Sequence, residues 1–193
     1  GRIGQATAQR AHAMRMNVIA YDPYLRPGTE KVFGVEMVSF EELLSVSDVV
    51  SLHTPLTNET ENLIDNNALS RMKSDSILVN TSRGSVVDTA ALAQALRSGK
   101  ISAAGIDVLP IEPPSKDEPL IQLWREADET NVNLIITPHT AFYSAEAMLE
   151  IRTKTAMEVA RALRGDKLAN CINSQWLSSD VRERVLIGIP PTV

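Results

Sequence analysis

GRIGQATAQRAHAMRMNVIAYD, residues 1–22, sets a glycine pair at the mouth of a helical stretch and an aspartate at the end of the strand that follows. In the dinucleotide fingerprint G-x-G-x-x-G the second and third glycines stand three apart, as Gly1 and Gly4 do. Gly1 lets the backbone approach a pyrophosphate, and the N–H groups of Arg2 and Ile3, at a helix N-terminus, can donate to its oxygens. Asp22 extends the pattern, because a carboxylate at that strand end accepts hydrogen bonds from both hydroxyls of an adenosine ribose and repels a 2′-phosphate. NAD is therefore expected rather than NADP, with Arg26 the nearby residue able to soften the preference. On this reading the fingerprint's first glycine and its strand precede Gly1, and the chain reads as a fragment of a longer protein.

The same strand–helix unit continues outward. Helical spacing covers residues 2 to about 15, and Asn17 to Tyr21 is a short strand. Ser39 followed by Glu41 and Glu42 opens a helix, with Val49 to Leu52 the next strand. A short helix from Asn67 to Met72 leads to the strand Ile77 to Val79. Asp88 caps a helix through Leu96 that Gly99 closes, and Ile101 to Ile106 is again a strand. Pro110 to Asn131, with Pro113, Pro114 and Pro119, reads as a long connection that Trp124 pins down. Leu134 to Ile136 is the last sheet strand, and a helix from Ser144 to about Leu163 stops at Gly165. Such alternation with apolar, β-branched strands specifies an α/β fold with a mainly parallel, doubly wound sheet. In the order 3-2-1-4-5-6 the strand before Gly1 is central, so without it two strands flank an unpaired gap.

Composition bounds the function. With 193 residues and 44% hydrophobic content the chain can build a sizeable core. Its net charge of −5 comes without a basic cluster, against a nucleic-acid partner. The single cysteine, Cys171, excludes an internal disulfide and reads as a small apolar side chain. No apolar run approaches the roughly 20 residues of a bilayer span, no metal-ligand cluster is evident and no signal peptide is visible, so a cytoplasmic location is the default expectation.

Three polar side chains stand at predicted strand ends: Arg83 in Asn80-Thr81-Ser82-Arg83-Gly84, then Glu112, then His139 in Thr137-Pro138-His139. Open α/β sheets bind ligands at that edge, so a guanidinium, a carboxylate and an imidazole there point to a redox or acid–base enzyme. His53 reads as structural, and His12 as a residue of a surface helix.

The segments SDVVSLHTPLTNETENLID (47–65), MKSDSILVNTSRGSVVD (72–88), AAGIDVLPIEP (103–113) and ITPHTAFYS (136–144) resemble, in that order, the D-isomer-specific 2-hydroxyacid dehydrogenases. Within that family YDPYL (21–25), HTAFYS (139–144) and LANCIN (168–173) look most like the C-terminal-binding-protein branch. The resemblance implies a Rossmann NAD-binding domain over 1–142, a crossover helix and a returning piece of a substrate domain over 143–173, and a tail over 174–193. It implies that Thr54, Pro55 and Thr60 line the adenine side of NAD, that Thr81 and Asp107 approach the nicotinamide half, and that Arg83, Glu112 and His139 are catalytic.

The implied chemistry is coherent. Hydride delivery to a 2-keto acid leaves an alkoxide that needs a proton, and an imidazole, with an intrinsic pKa of about 6.5, can supply it from His139. Glu112 bonded to that ring would orient it and favour its protonated form. Arg83 offers a planar fork of donors to the substrate carboxylate and carbonyl oxygen. Phe142 stands where close relatives of the C-terminal-binding proteins carry tryptophan, which reshapes the wall near the substrate. Glu112 disfavours formate oxidation, since that branch has glutamine there, while phosphoglycerate oxidation stays open. The resemblance also implies a homodimer, and leaves as an alternative an NAD-sensing corepressor with little turnover.

Overall fold

The computed structural model describes residues 1–126, 131–179 and 181–183. In chain order the elements of the first unit, residues 1–141, are α1 (Arg2–Ala13), β1 (Ile19–Ala20), α2 (Thr29–Phe33), β2 (Glu36–Met37), α3 (Phe40–Val46), β3 (Val49–Leu52), α4 (Asn66–Arg71), β4 (Ile77–Asn80), α5 (Thr89–Arg97), β5 (Ala103–Ile106), α6 (Pro119–Arg125) and β6 (Asn133–Ile136).

Helices start where short polar side chains satisfy the first free amides. Ser39 Oγ accepts from Glu42 N at 3.1 Å, Asp65 Oδ1 from Ala68 N at 2.8 Å, and Asp88 Oδ1 from Ala90 N and Ala91 N, each at 3.0 Å. The apolar faces that follow bury Leu44, Leu69 and Leu92 in one core with Leu78 of β4, each worth about 1.5–3 kcal/mol on removal from water.

The strands form the expected α/β arrangement. β3, β4, β5 and β6 pair in that order, all parallel, and β1 pairs in parallel with β2 as a separate ribbon. Among the described residues no pairing joins β1 to β3. In the larger sheet Leu52 pairs with Asn80, Asn80 with Ile106, and Ile106 with Ile136. His53, Thr81, Asp107 and Thr137 therefore all leave the sheet at one level, and this alignment assembles the site.

The stretch 29–37, unassigned from sequence pattern, holds α2 and β2, which are too short to carry a readable period. One expectation needs correcting. The proline-rich connection contains α6, begun by Glu118 as cap with Pro119 in the first turn, where its missing N–H costs nothing. Leu120 and Leu123, both fully buried, anchor that helix, while Trp124 is 48% exposed. α1 holds no fully buried residue, as a surface helix should, although Nε2 of His12 is itself buried within 3.8 Å of where a side chain at Gly34 would begin.

The second unit, residues 142–193, is dominated by α7 (Ala145–Arg164). Ser144 Oγ caps it by accepting from Ala147 N at 3.1 Å, and Gly165, at φ +73°, ends it in the left-handed turn that glycine adopts without penalty. Ser174–Trp176 forms a 3-10 turn; of the expected tail, residues 180 and 184–193 lie outside the described residues.

Candidate active site

His139 and Glu112 meet. The imidazole Nδ1 lies 2.7 Å from Glu112 Oε2, although 27 residues separate the two in sequence. Glu112 is itself fixed from the other side, since Leu109 N donates to Oε1 at 2.9 Å. Partial burial pushes the Glu112 carboxyl upward, but the ring and the Leu109 amide outweigh it and hold the group below the usual carboxylate range.

The backbone of His139 is in the left-handed region, at φ +52°. That conformation costs a non-glycine residue of the order of 1 kcal/mol, so the surroundings must hold it. Asp107 does so. Its carbonyl accepts from His139 N at 2.8 Å, Oδ1 accepts from Thr137 Oγ1 at 2.5 Å and from Thr140 N at 2.8 Å, and Oδ2 accepts from Ala141 N at 3.0 Å. Burial, with 5% exposure, pushes the Asp107 carboxyl up, while the Thr137 hydroxyl, the Ala141 and Thr140 amides and the nearby His139 ring pull it below the normal aspartate range, and they prevail.

A group whose folded pKa is depressed adds stability that is full above its unfolded value and is lost as pH falls through the folded value. The turn carrying His139 is thus expected to loosen in acid. In amide NMR spectra of the intact protein, Thr140 and Ala141 should titrate together with a midpoint below the usual aspartate range, and Asp107→Asn should abolish that titration. Resonances flat down to the acid limit in the parent would contradict it.

Arg83 sits on an equally constrained loop. Asn80, the last residue of β4 and 0% exposed, accepts at Oδ1 from Ser82 N (3.0 Å) and Ser82 Oγ (2.8 Å), and donates from Nδ2 to Arg83 O (3.0 Å). Arg83 Nη1 in turn donates to Ser82 O at 2.6 Å. Gly84 then turns the chain against the neighbouring loop: a Cβ there would lie 2.0 Å from Leu109 C and 2.3 Å from Pro110 N. Hence Arg83 stands at the strand edge next to the one that carries Glu112. Neither Asn80 nor Gly84 was expected to shape the site; an amide closing an apolar strand just before Thr-Ser was the available signal, as such side chains bond to backbone two residues on.

The expected cofactor residues lie around the start of α1. Gly1 has open space where a side chain would be, and α1 begins there without a side-chain cap, leaving the first-turn amides, those of Arg2 and Ile3 among them, for another acceptor. Gly4 faces His53, whose Cβ is 3.5 Å from where a side chain on Gly4 would start. His53 Nε2 pairs with Ser51 Oγ at 3.0 Å, and burial lowers the pKa of the ring. Asp22 Oδ2 is 4.0 Å from Gly1 N, and Oδ1 accepts from Tyr24 N at 3.0 Å. Tyr24 Oη donates to Glu59, linking that loop to residues 54–60. There Thr60 Oγ1 accepts from Thr57 N at 2.8 Å and donates to Pro55 O at 2.6 Å. Among the described residues Thr54 Oγ1 and His12 Nε2 are the buried side-chain polar atoms without a hydrogen-bond partner. An uncapped helix start, a ribose-type carboxylate and an orphaned hydroxyl fit a dinucleotide.

Of the two residues expected at the nicotinamide half, Thr81 is exposed at the end of β4, whereas the Asp107 carboxylate is occupied as described. Phe142 opens the second unit, edge-on to Tyr143 with ring centroids 6.3 Å apart. Among the described residues no helix is long and apolar enough to cross a membrane, and no group of three or more His, Cys, Asp or Glu could hold a metal ion.

Residues 1–141 match the family described as D-isomer specific 2-hydroxyacid dehydrogenase, NAD binding domain. The chain is 42% identical over 173 residues to a D-3-phosphoglycerate dehydrogenase of Mycobacterium leprae, a match covering 90% of this chain and 31% of that protein. It superposes on a D-lactate dehydrogenase with NAD+ from Lactobacillus jensenii with a TM-score of 0.77 at 33% identity, covering 89% of this chain and 53% of that one. For a D-lactate dehydrogenase of Aquifex aeolicus complexed with NAD and lactic acid the TM-score is 0.76 at 38% identity, over 86% of this chain and 51% of that one. The chain therefore spans about a third of the length of the curated relatives it matches and about half that of the solved structures.

Proposed function

The chain belongs to the D-isomer specific 2-hydroxyacid dehydrogenases and carries their NAD-binding domain, and from that premise we propose that it serves the NAD-dependent interconversion of a 2-keto acid and a D-2-hydroxy acid. The observation that carries the proposal is the His139–Glu112 pair at 2.7 Å, at the edge where open α/β sheets bind their ligands. Bound NAD(H) supplies or takes up the hydride.

The first-turn amides of α1, from Arg2 and Ile3 onward, would hold the pyrophosphate, Asp22 would hold the adenosine ribose, and Pro55 and the Thr54 hydroxyl would line the adenine side. Arg83 pairs with the substrate carboxylate and polarises its carbonyl, a planar two-point contact that lysine does not reproduce. With Nδ1 engaged by Glu112, His139 passes a proton from Nε2 to the oxygen that becomes an alkoxide, and recovers it in the reverse direction. Glu112 fixes the ring and balances the imidazolium charge. Thr81 would approach the nicotinamide half. A dinucleotide sensor has no physical need for a positioned proton donor, and the dehydrogenase names of the relatives do not favour that alternative.

The test is full-length protein with NADH and a panel of 2-keto acids that includes pyruvate and 3-phosphohydroxypyruvate, the keto acids corresponding to the substrates after which the relatives are named. NADH oxidation with at least one is expected, and weaker activity with NADPH because Asp22 repels the extra phosphate. Tight NADH binding without turnover of any panel member would overturn the proposal.

A further inference from the structure

We propose that Asn80 is the positioning residue for Arg83, and that its side-chain amide sets where the guanidinium stands relative to the His139–Glu112 pair. The inference rests on the function proposed above and assigns a role to a residue that does not reach the substrate. Asn80 is fully buried in the last rung of β4, between Leu52 and Ile106. A buried amide is expensive unless its hydrogen bonds are made. Here all those observed go to the arginine loop: Oδ1 takes both the N–H and the hydroxyl of Ser82, and Nδ2 donates to the carbonyl of Arg83.

The chain of contacts runs on to the charge itself, because the Ser82 carbonyl, on the residue Asn80 grips twice, accepts from Arg83 Nη1 at 2.6 Å. The main chain of Asn80 faces the other half of the site. Its carbonyl accepts from Asp107 N at 2.9 Å, and Asp107 holds the His139 turn. One residue is thus bonded to the segment bearing the guanidinium through its side chain and to the segment that steadies the imidazole through its backbone. A shift of about 1 Å in a positioning group can cost on the order of 100-fold in rate, so the amide is worth more to turnover than its own hydrogen bonds suggest.

Asn80→Asp and Asn80→Ser in the full-length protein separate positioning from general support. The aspartate keeps the acceptor for Ser82, but when ionised it turns an anionic oxygen toward the Arg83 carbonyl in place of a donor, and protonation restores the donor. Burial of such a carboxyl favours its protonated form while the Ser82 N–H and hydroxyl favour the ionised one, so recovery of the donor comes as pH falls. We expect kcat/KM for the 2-keto acid to fall roughly 10- to 100-fold in Asn80→Asp at pH 8, with the Kd for NADH within about twofold of the parent. The ratio of variant to parent should climb as pH falls from 8 to 5. In Asn80→Ser the deficit should be independent of pH.

Binding of oxamate in the presence of NADH, followed by calorimetry, reads the same site without turnover and should weaken in parallel. A parent protein with normal turnover and oxamate binding whose variants lose neither, or lose NADH affinity equally, would overturn this proposal and leave the function standing. A parent that neither turns over nor binds oxamate would sink both.

Discussion

His139→Gln is expected to lower kcat for 2-keto-acid reduction by about 10²–10⁴-fold, the range a positioned general acid supplies. The Kd for NADH should stay within about twofold, because the residues proposed to hold the dinucleotide lie around Gly1, Asp22 and Thr54. Glutamine keeps a polar head of similar reach but has no proton to give at neutral pH, so the loss falls on the chemical step. Asp107 still anchors the turn through the Thr140 and Ala141 amides, so folding should survive and the thermal midpoint should move little. Stopped-flow NADH oxidation with saturating keto acid reads the chemical step directly. A variant retaining more than about a tenth of parental kcat would remove His139 from the role of proton donor.

Gly84→Ala carries the largest expected cost to the fold. The added methyl would sit 2.0 Å from the carbonyl carbon of Leu109, 2.2 Å from its oxygen and 2.3 Å from Pro110 N. All three are main-chain atoms, so no rotamer change relieves the overlap. Overpacking of a dense interior usually costs 1–3 kcal/mol, and here the lower bound should be about 3 because two loops must separate. That separation would carry Arg83 away from the strand that ends toward Glu112, so activity should fall along with stability. Gly105→Ala is the control: a Cβ there meets only Val79 Cγ2, at 4.0 Å, and its effect should stay within about 1 kcal/mol. Calorimetric unfolding of both variants decides the matter. Similar midpoints for the two would mean that the two loops are not locked together as described.

These two positions also mark what the amino-acid string disclosed and what it withheld. Val49–Leu52, Ile77 to Val79 and Leu134 to Ile136 were readable as strands because short apolar runs between capped helices have few other outcomes, and the structure lengthens the last two by one residue each, Asn80 and Asn133. His139 and Glu112 were readable as a pair only through the family resemblance, since nothing local joins residues 27 apart in sequence. Gly84 and Asn80 owe their importance to atoms contributed by other loops, Leu109 and Pro110 for the first and the folded-back Ser82–Arg83 turn for the second. Such demands appear only once the strands are in register. α6 was hidden for a different reason: three prolines signalled a loop strongly enough to mask Glu118-Pro119 as a helix start, although Leu120 and Leu123 already had helical spacing. The pair α2 and β2 fell below the length at which any period can be heard.

The twisted main chain at His139 has a corollary for how this site could be altered. Relaxing that twist calls for glycine, which has no ring, and keeping the ring means retaining the twist. Conformation and reactivity at this position cannot be improved one at a time, so a search for a replacement donor must start by rebuilding the Asp107 cradle.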